Sequence, residues 1–137
     1  MKEDSNYLSE FSEGAAKAYG EIGIIREIMR ILEVAEEMRW CVEFGAGNGV
    51  SASNSKYFID ELKYKAVLIE PMKMRFQKLY ELYVDNSSVH TLNRFINFSG
   101  PDSLDVMLSE INVPKEFAFM SIDIDGNDYH IWDSLTS

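Results

Sequence analysis

Three short stretches carry residue types whose spacing suits chemistry. In CVEFGAGNGVS, residues 41 to 51, Glu43 precedes Gly45, Gly47 and Gly49, which alternate with Ala46 and Asn48. Glycines between a strand and a helix let a ligand approach bare backbone, and the unpaired amides of the helix start face an anionic group. A nucleotide or related adenosine compound fits such a turn. In VLIEP, Glu70 lies 21 residues beyond Gly49, where an acid in this topology accepts hydrogen bonds from ribose hydroxyls. The competing account of Glu70 is a solvated charge at a strand end. The dinucleotide fingerprint needs its third glycine at position 50, which is Val50, so a nicotinamide dehydrogenase is disfavoured.

The third stretch, SIDIDGNDY, sets Asp123 and Asp125 two residues apart and adds Asp128. If the strand continues through both, Asp123 and Asp125 share a side. Carboxylates that close need a cation or a shared proton, and oxygen donors suit magnesium, calcium or manganese. An EF-hand loop begun at Asp123 fails, because its sixth position is Asp128 and its twelfth Ser134, where glycine and glutamate are required. Capping of a following helix accounts equally well for Asp125 and Asp128. Neither His90 nor His130 stands out as a base, and Trp40 and Trp132 read as packing residues.

These residues need a scaffold, and the apolar pattern supplies one. Ile22, Ile25, Ile28, Met29, Leu32 and Ala35 predict an amphipathic helix over 21–38. RWCVEF reads as a buried strand, followed by a helix over 50–62 with Val50, Tyr57, Phe58 and Leu62 inward. KAVLIE is a second strand, and Met72, Phe76, Leu79, Tyr80 and Tyr83 mark the next helix. SVHTLN reads as a third strand, a helix starts after Pro101, EFAFMSID is a fourth strand, and YHIWDSL opens one more helix. Alternating strands and helices imply an α/β domain with a doubly wound parallel sheet and helices on both faces. Ligands of such sheets bind beyond the carboxyl ends of the strands. That is where Glu43 to Gly49, Glu70, Pro71, Asn93 and Asp123 to Asp128 fall.

A chain of 137 residues with 46% hydrophobic content has the size and composition of one globular domain. Residues 1 to 18 read as a polar N-terminal arm and 19 to 137 as the domain. Thirteen basic against 23 acidic residues leave a net charge of −10, which repels nucleic acid and anionic membranes. No leader or membrane-length apolar run is evident, so a cytoplasmic location is expected. Cys41, the single cysteine, reads as a core residue.

VEFGAGNG and VLIEP resemble the first two motifs of class I S-adenosylmethionine-dependent methyltransferases. The resemblance implies a Rossmann-like fold in which Glu43 and the turn from Gly45 to Gly49 (Gly45, Ala46, Gly47, Asn48, Gly49) hold the methionine end of the cofactor. Ser51 or Asn54 would touch its carboxylate, Glu70 the ribose, and Pro71 and Met72 the adenine side. The chain further resembles an FkbM-like branch, through YGEIGII at Tyr19 to Ile25, SNS at Ser53 to Ser55, and IDIDGNDY at Ile122 to Tyr129. Ile22 stands where that pattern has an acid. The fourth-strand end is also similar to that of metal-dependent catechol and caffeoyl-coenzyme A O-methyltransferases, which by position makes Asp123 the metal ligand for a cation such as magnesium. Gly126 occupies the place of their lysine.

The implied activity is O-methylation of a hydroxyl on a sugar or other small-molecule acceptor, with Asp123 and Asp125 as catalytic residues. The family sheet runs 3-2-1-4-5-7-6, so strands 3-2-1-4 are expected here and the C-terminal strands are missing. Two other readings stay open: a non-catalytic cofactor-binding fragment or module, and a nucleotide-dependent oxidoreductase. An uncovered fourth strand would also invite a homo-oligomer through its exposed edge.

Overall fold

The computed structural model describes residues 7–12, 21–51 and 53–136. The chain forms two compact units, Met1–Ala35 and Glu36–Ser137. In the first, a 3-10 turn at Tyr7–Phe11 meets helix α1, Glu21–Ile31. The Arg30 guanidinium donates to both oxygens of Glu27 at 2.7 Å, and the Tyr7 hydroxyl donates to the same carboxylate. These donors, Arg30 first, hold the Glu27 carboxyl down at about 2. Tyr19 and Gly20, the start of the YGEIGII element, and most of the expected arm lie outside the described residues.

The helix expected to reach Met38 stops at Ile31. Apolar spacing continues, but Glu33, Glu36 and Glu37 would crowd its C-terminal end, where the helix dipole disfavours negative charge. A 3-10 turn at Glu36–Met38 follows instead.

The second unit is built on four parallel strands, β1 (Trp40–Phe44), β2 (Lys65–Ile69), β3 (Val89–Leu92) and β4 (Phe119–Ile122), in the order β3-β2-β1-β4. This is the Rossmann-like 3-2-1-4 arrangement, and β1 at its centre is buried at all five positions. Period-two alternation sends Val42 and Phe44 to one face, beside Val67 and Ile69. Helix α4 (Leu104–Ile111) covers that face with Leu104, Met107 and Leu108, and α5 (Asp128–Asp133) adds Ile131. On the other face, Phe58 of α2 (Ser55–Asp60) stacks on Phe119 at 4.3 Å, and α3 (Lys73–Tyr83) buries Leu79 and Tyr83.

Cys41 is fully buried on this second face, and loss of solvent pushes its thiol up to about 12. It is a core residue.

Helix α2 begins at Ser55 rather than Val50. The intervening GNGVS backbone is consumed by a turn, so Val50 is 54% exposed and not inward. Trp132 likewise faces outward, 62% exposed against Tyr129. Its neighbour Ile131 takes the inward position on α5, and successive helical residues point about 100° apart. Trp40 is buried as expected. No helix among the described residues is long and apolar enough to cross a membrane.

Candidate functional site

The carboxyl ends of β1, β2 and β4 surround a cavity of about 840 Å³. Gly45, Gly47, Asn48 and Ser51 form the wall beyond β1, Met72 and the start of α3 the wall beyond β2, and Asp123 with Asp125 the wall beyond β4. The glycines of the turn do different jobs. Gly45 lies where β1 passes the tip of β4, and a Cβ there would stand 2.0 Å from the Asp123 carbonyl oxygen. A Cβ on Gly49 would stand 2.7 Å from Leu79 Cδ1, so this glycine seats the turn on α3 and not on a ligand. Gly47 alone combines a left-handed φ of +59° with open space: the nearest atom to an added Cβ would be the Gly45 carbonyl oxygen at 4.0 Å. Its face belongs to the cavity.

Two buried acids hold this turn from behind. Glu70, 2% exposed, accepts from the Gly47 amide at 2.9 Å and from the Met72 amide at 2.7 Å, tying the β1 turn to the start of α3. Glu43, 3% exposed, accepts from the Ser53 hydroxyl at 2.8 Å and the Asn54 amide at 2.9 Å. Burial raises the Glu43 carboxyl above its ordinary value, and its hydrogen bonds work in the opposite direction. Neither acid lines the cavity, and neither do Ala46, Gly49, Asn54 and Pro71.

The smaller polar residues fix the rest. Asn48 Oδ1 accepts from the amides of Val50 and Ser51 at 3.0 and 2.9 Å, closing the turn on itself. Helix α2 is capped by Ser53, whose oxygen accepts from the Lys56 amide at 3.2 Å. The Asn54 side chain donates instead to Ser121 at 3.4 Å, and it makes no cap. Asn93 donates to the carbonyls of Glu70 and Pro71 at 2.8 and 3.0 Å and so pins the β2 tip to β3.

Strand β4 ends at Ile122, before the acids, and Asp125 has a left-handed φ of 56°. Asp123 and Asp125 therefore reach the cavity from a loop rather than along one strand face. Asp128 shapes that loop: its carboxylate accepts from the Ile124 amide at 2.9 Å and the Gly126 amide at 3.0 Å, which lowers its pKa. This is loop fixation, whereas the expected cap of α5 has no side-chain hydrogen bond. No group of three or more His, Cys, Asp or Glu residues among the described residues is placed to hold a metal ion. His90 stacks on Trp40, and His130 packs against Phe98 and Tyr129.

Sequence reasoning missed Ser53 and Ser121, which complete the polar cluster at Glu43, and Lys73, Met74, Arg75 and Lys78, which line the cavity. Both serines fall within quoted motifs, SNS and SIDIDGNDY, but nothing in either motif reports that Ser53 meets Glu43 or that Ser121 meets Asn54. The α3 residues were visible as the exposed side of an amphipathic helix whose first turn adjoins Met72.

No family model and no curated protein matches the sequence. Among solved structures, a chain of the crystal structure of the fibrillarin/Nop5p complex is similar, with a TM-score of 0.53 and 19% identity. The similarity covers 83% of this chain and 50% of that one, so the present chain spans about half the length of its structural neighbour. The shared feature is the fold: a Rossmann-like α/β domain, here with strand order 3-2-1-4.

Proposed function

We propose that the second unit binds S-adenosylmethionine across the tips of β1 and β2 and serves an FkbM-like methyltransferase acting on a hydroxyl of a sugar or other small molecule. The observation that carries this reading is Gly47, whose left-handed backbone presents an open face to the cavity beside Met72. The methionine end rests on the Gly45–Asn48 backbone and on Ser51, and the adenine covers the exposed Met72 side chain. Glu70 uses one lone pair of each oxygen on the Gly47 and Met72 amides. In the bound state its remaining lone pairs receive the ribose hydroxyls.

When bound, the sulfonium supplies an electrophilic methyl group. The chain's own contribution is orientation and exclusion of water, which provide much of the rate of such a transfer. Asp123, at the far wall, accepts the proton of the acceptor hydroxyl, and Asp125 orients that hydroxyl. The residues do not fit a divalent cation, because Asp123 and Asp125 are not joined by a third ligand among the described residues, so no step runs through a metal.

Calorimetry with S-adenosylmethionine and with NAD tests the ligand. Binding of the first and not the second is expected, and the reverse preference would favour an oxidoreductase. Transfer of labelled methyl to a panel of sugars separates an enzyme from a binding module, and loss of transfer in Asp123→Asn with cofactor affinity intact assigns the acid to chemistry.

A further inference from the structure

The cavity has a cationic wall. Lys73, Arg75 and Lys78 all line it from the first two turns of α3. None of the three has a carboxylate within ion-pair distance among the described residues, whereas Arg30 and Lys56 each have one and Arg94 has two. The contrast matters in a chain of net charge −10, where acids outnumber bases by 23 to 13. The first turn of α3 holds no acid. Lys73 and Arg75 therefore stand against the positive end of the helix dipole, an arrangement that disfavours each cation. The one acid of the helix, Glu81, accepts from Gln77. An oxyanion in the cavity would meet three cations that have no carboxylate partner among the described residues, and would offset that cost.

Resting on the reading that S-adenosylmethionine occupies the β1 and β2 tips, we propose that the α3 wall receives a phosphate group, carried into the cavity by the ligand that Lys73, Arg75 and Lys78 face. The cofactor's sulfonium suits the acidic wall of Asp123 and Asp125, and in the proposed pose its single carboxylate rests on the glycine turn, which leaves the α3 wall without an anion. Two sources share the chemistry: a phosphorylated acceptor bound beside the cofactor, or a phosphate on an adenine nucleotide occupying the same tips. The flexible lysines supply point charges and Arg75 a two-pronged donor for paired oxygens.

Calorimetry on the wild-type chain and on Arg75→Gln/Lys78→Gln tests the assignment, since both positions are exposed on a helix surface and the exchange preserves folding. The first arm compares glucose 6-phosphate with glucose in saturating S-adenosylhomocysteine. The second compares adenosine 2′,5′-bisphosphate with adenosine. In one arm the phosphorylated compound should bind on the order of tenfold more tightly, and the variant should erase that advantage; the arm that responds names the source. A third arm compares S-adenosylhomocysteine with 5′-methylthioadenosine, which lacks the amino-acid tail.

If the variant's loss falls on S-adenosylhomocysteine alone, the cations serve the cofactor's carboxylate and the proposal is overturned. It is overturned equally if neither phosphorylated probe outbinds its neutral counterpart, or if the advantage survives in the variant. Failure of S-adenosylhomocysteine to bind at all, with adenosine bisphosphate still favoured, would remove the methyltransferase reading and leave the phosphate wall standing.

Discussion

Glu43 was legible as a site acid, because an acid two places before alternating glycines is a motif, but its position behind the wall was not. Which way a strand residue points depends on the face that α2 covers, and no local pattern in VEFGAG reports that. The structure gives it a measurable signature. Its folded pKa lies above the ordinary value of 4.5, so the folded state holds the proton more tightly than the unfolded chain. The stabilisation this brings is complete below about 4.5 and is lost as pH rises through the folded value. Glu43→Gln, which keeps an acceptor for the Asn54 amide, should lose less stability than the wild type across that rise in denaturant titrations. Parallel curves for the two proteins would contradict the burial argument. Asp128 has the opposite sign, with stability lost as pH falls through its lowered folded value. Glu70→Ala should strand the Gly47 and Met72 amides, costing about 1–3 kcal/mol of stability as well as cofactor affinity. A loss of affinity without a change in melting would mean that the amide contacts are dispensable.

Among the elements, β1 and β2 could be read from short apolar runs because they are buried on both sides, whereas β3 and β4 are only partly buried and were read from the alternation of strands with helices. Helix limits were less legible. Positions 50 to 54 satisfy helical spacing, yet Asn48 turns the chain there and α2 waits until Ser55. Helix α1 shows the reverse case, an apolar pattern that outlasts the helix. The joint between α3 and the glycine turn makes a sharp prediction. Leu79 is fully exposed to neither solvent nor ligand, being 0% accessible, and its Cδ1 fills the space beside Gly49. Leu79→Ala should cost about 2–5 kcal/mol in chemical unfolding. Gly49→Ala should also destabilise, through crowding, and the double variant should recover part of the loss because the smaller side chain makes room for the new methyl. Strict additivity of the two would argue against that contact.

At the scale of the whole molecule, the sheet order followed from resemblance and not from the strands themselves, since alternation fixes parallel pairing but leaves neighbour choice open. Among the described residues β4 pairs with β1 alone, and its other edge lies by a hollow of about 590 Å³ with Phe117, Met120, Trp132 and Leu135 in its lining. Unpaired strand edges of this kind invite another strand. Sedimentation should show concentration-dependent association that Met120→Lys weakens; a monomer at all concentrations would count against association through this edge.

The closeness of Gly45 to the Asp123 carbonyl has a further result. With no side chain between them, the ends of two strands abut directly, and neither can shift without the other feeling it. Two ligands leaning on opposite sides of that seam should therefore bind together with affinities that differ from those each has alone. By reciprocity, whatever factor the first changes in the grip on the second, the second returns to the first.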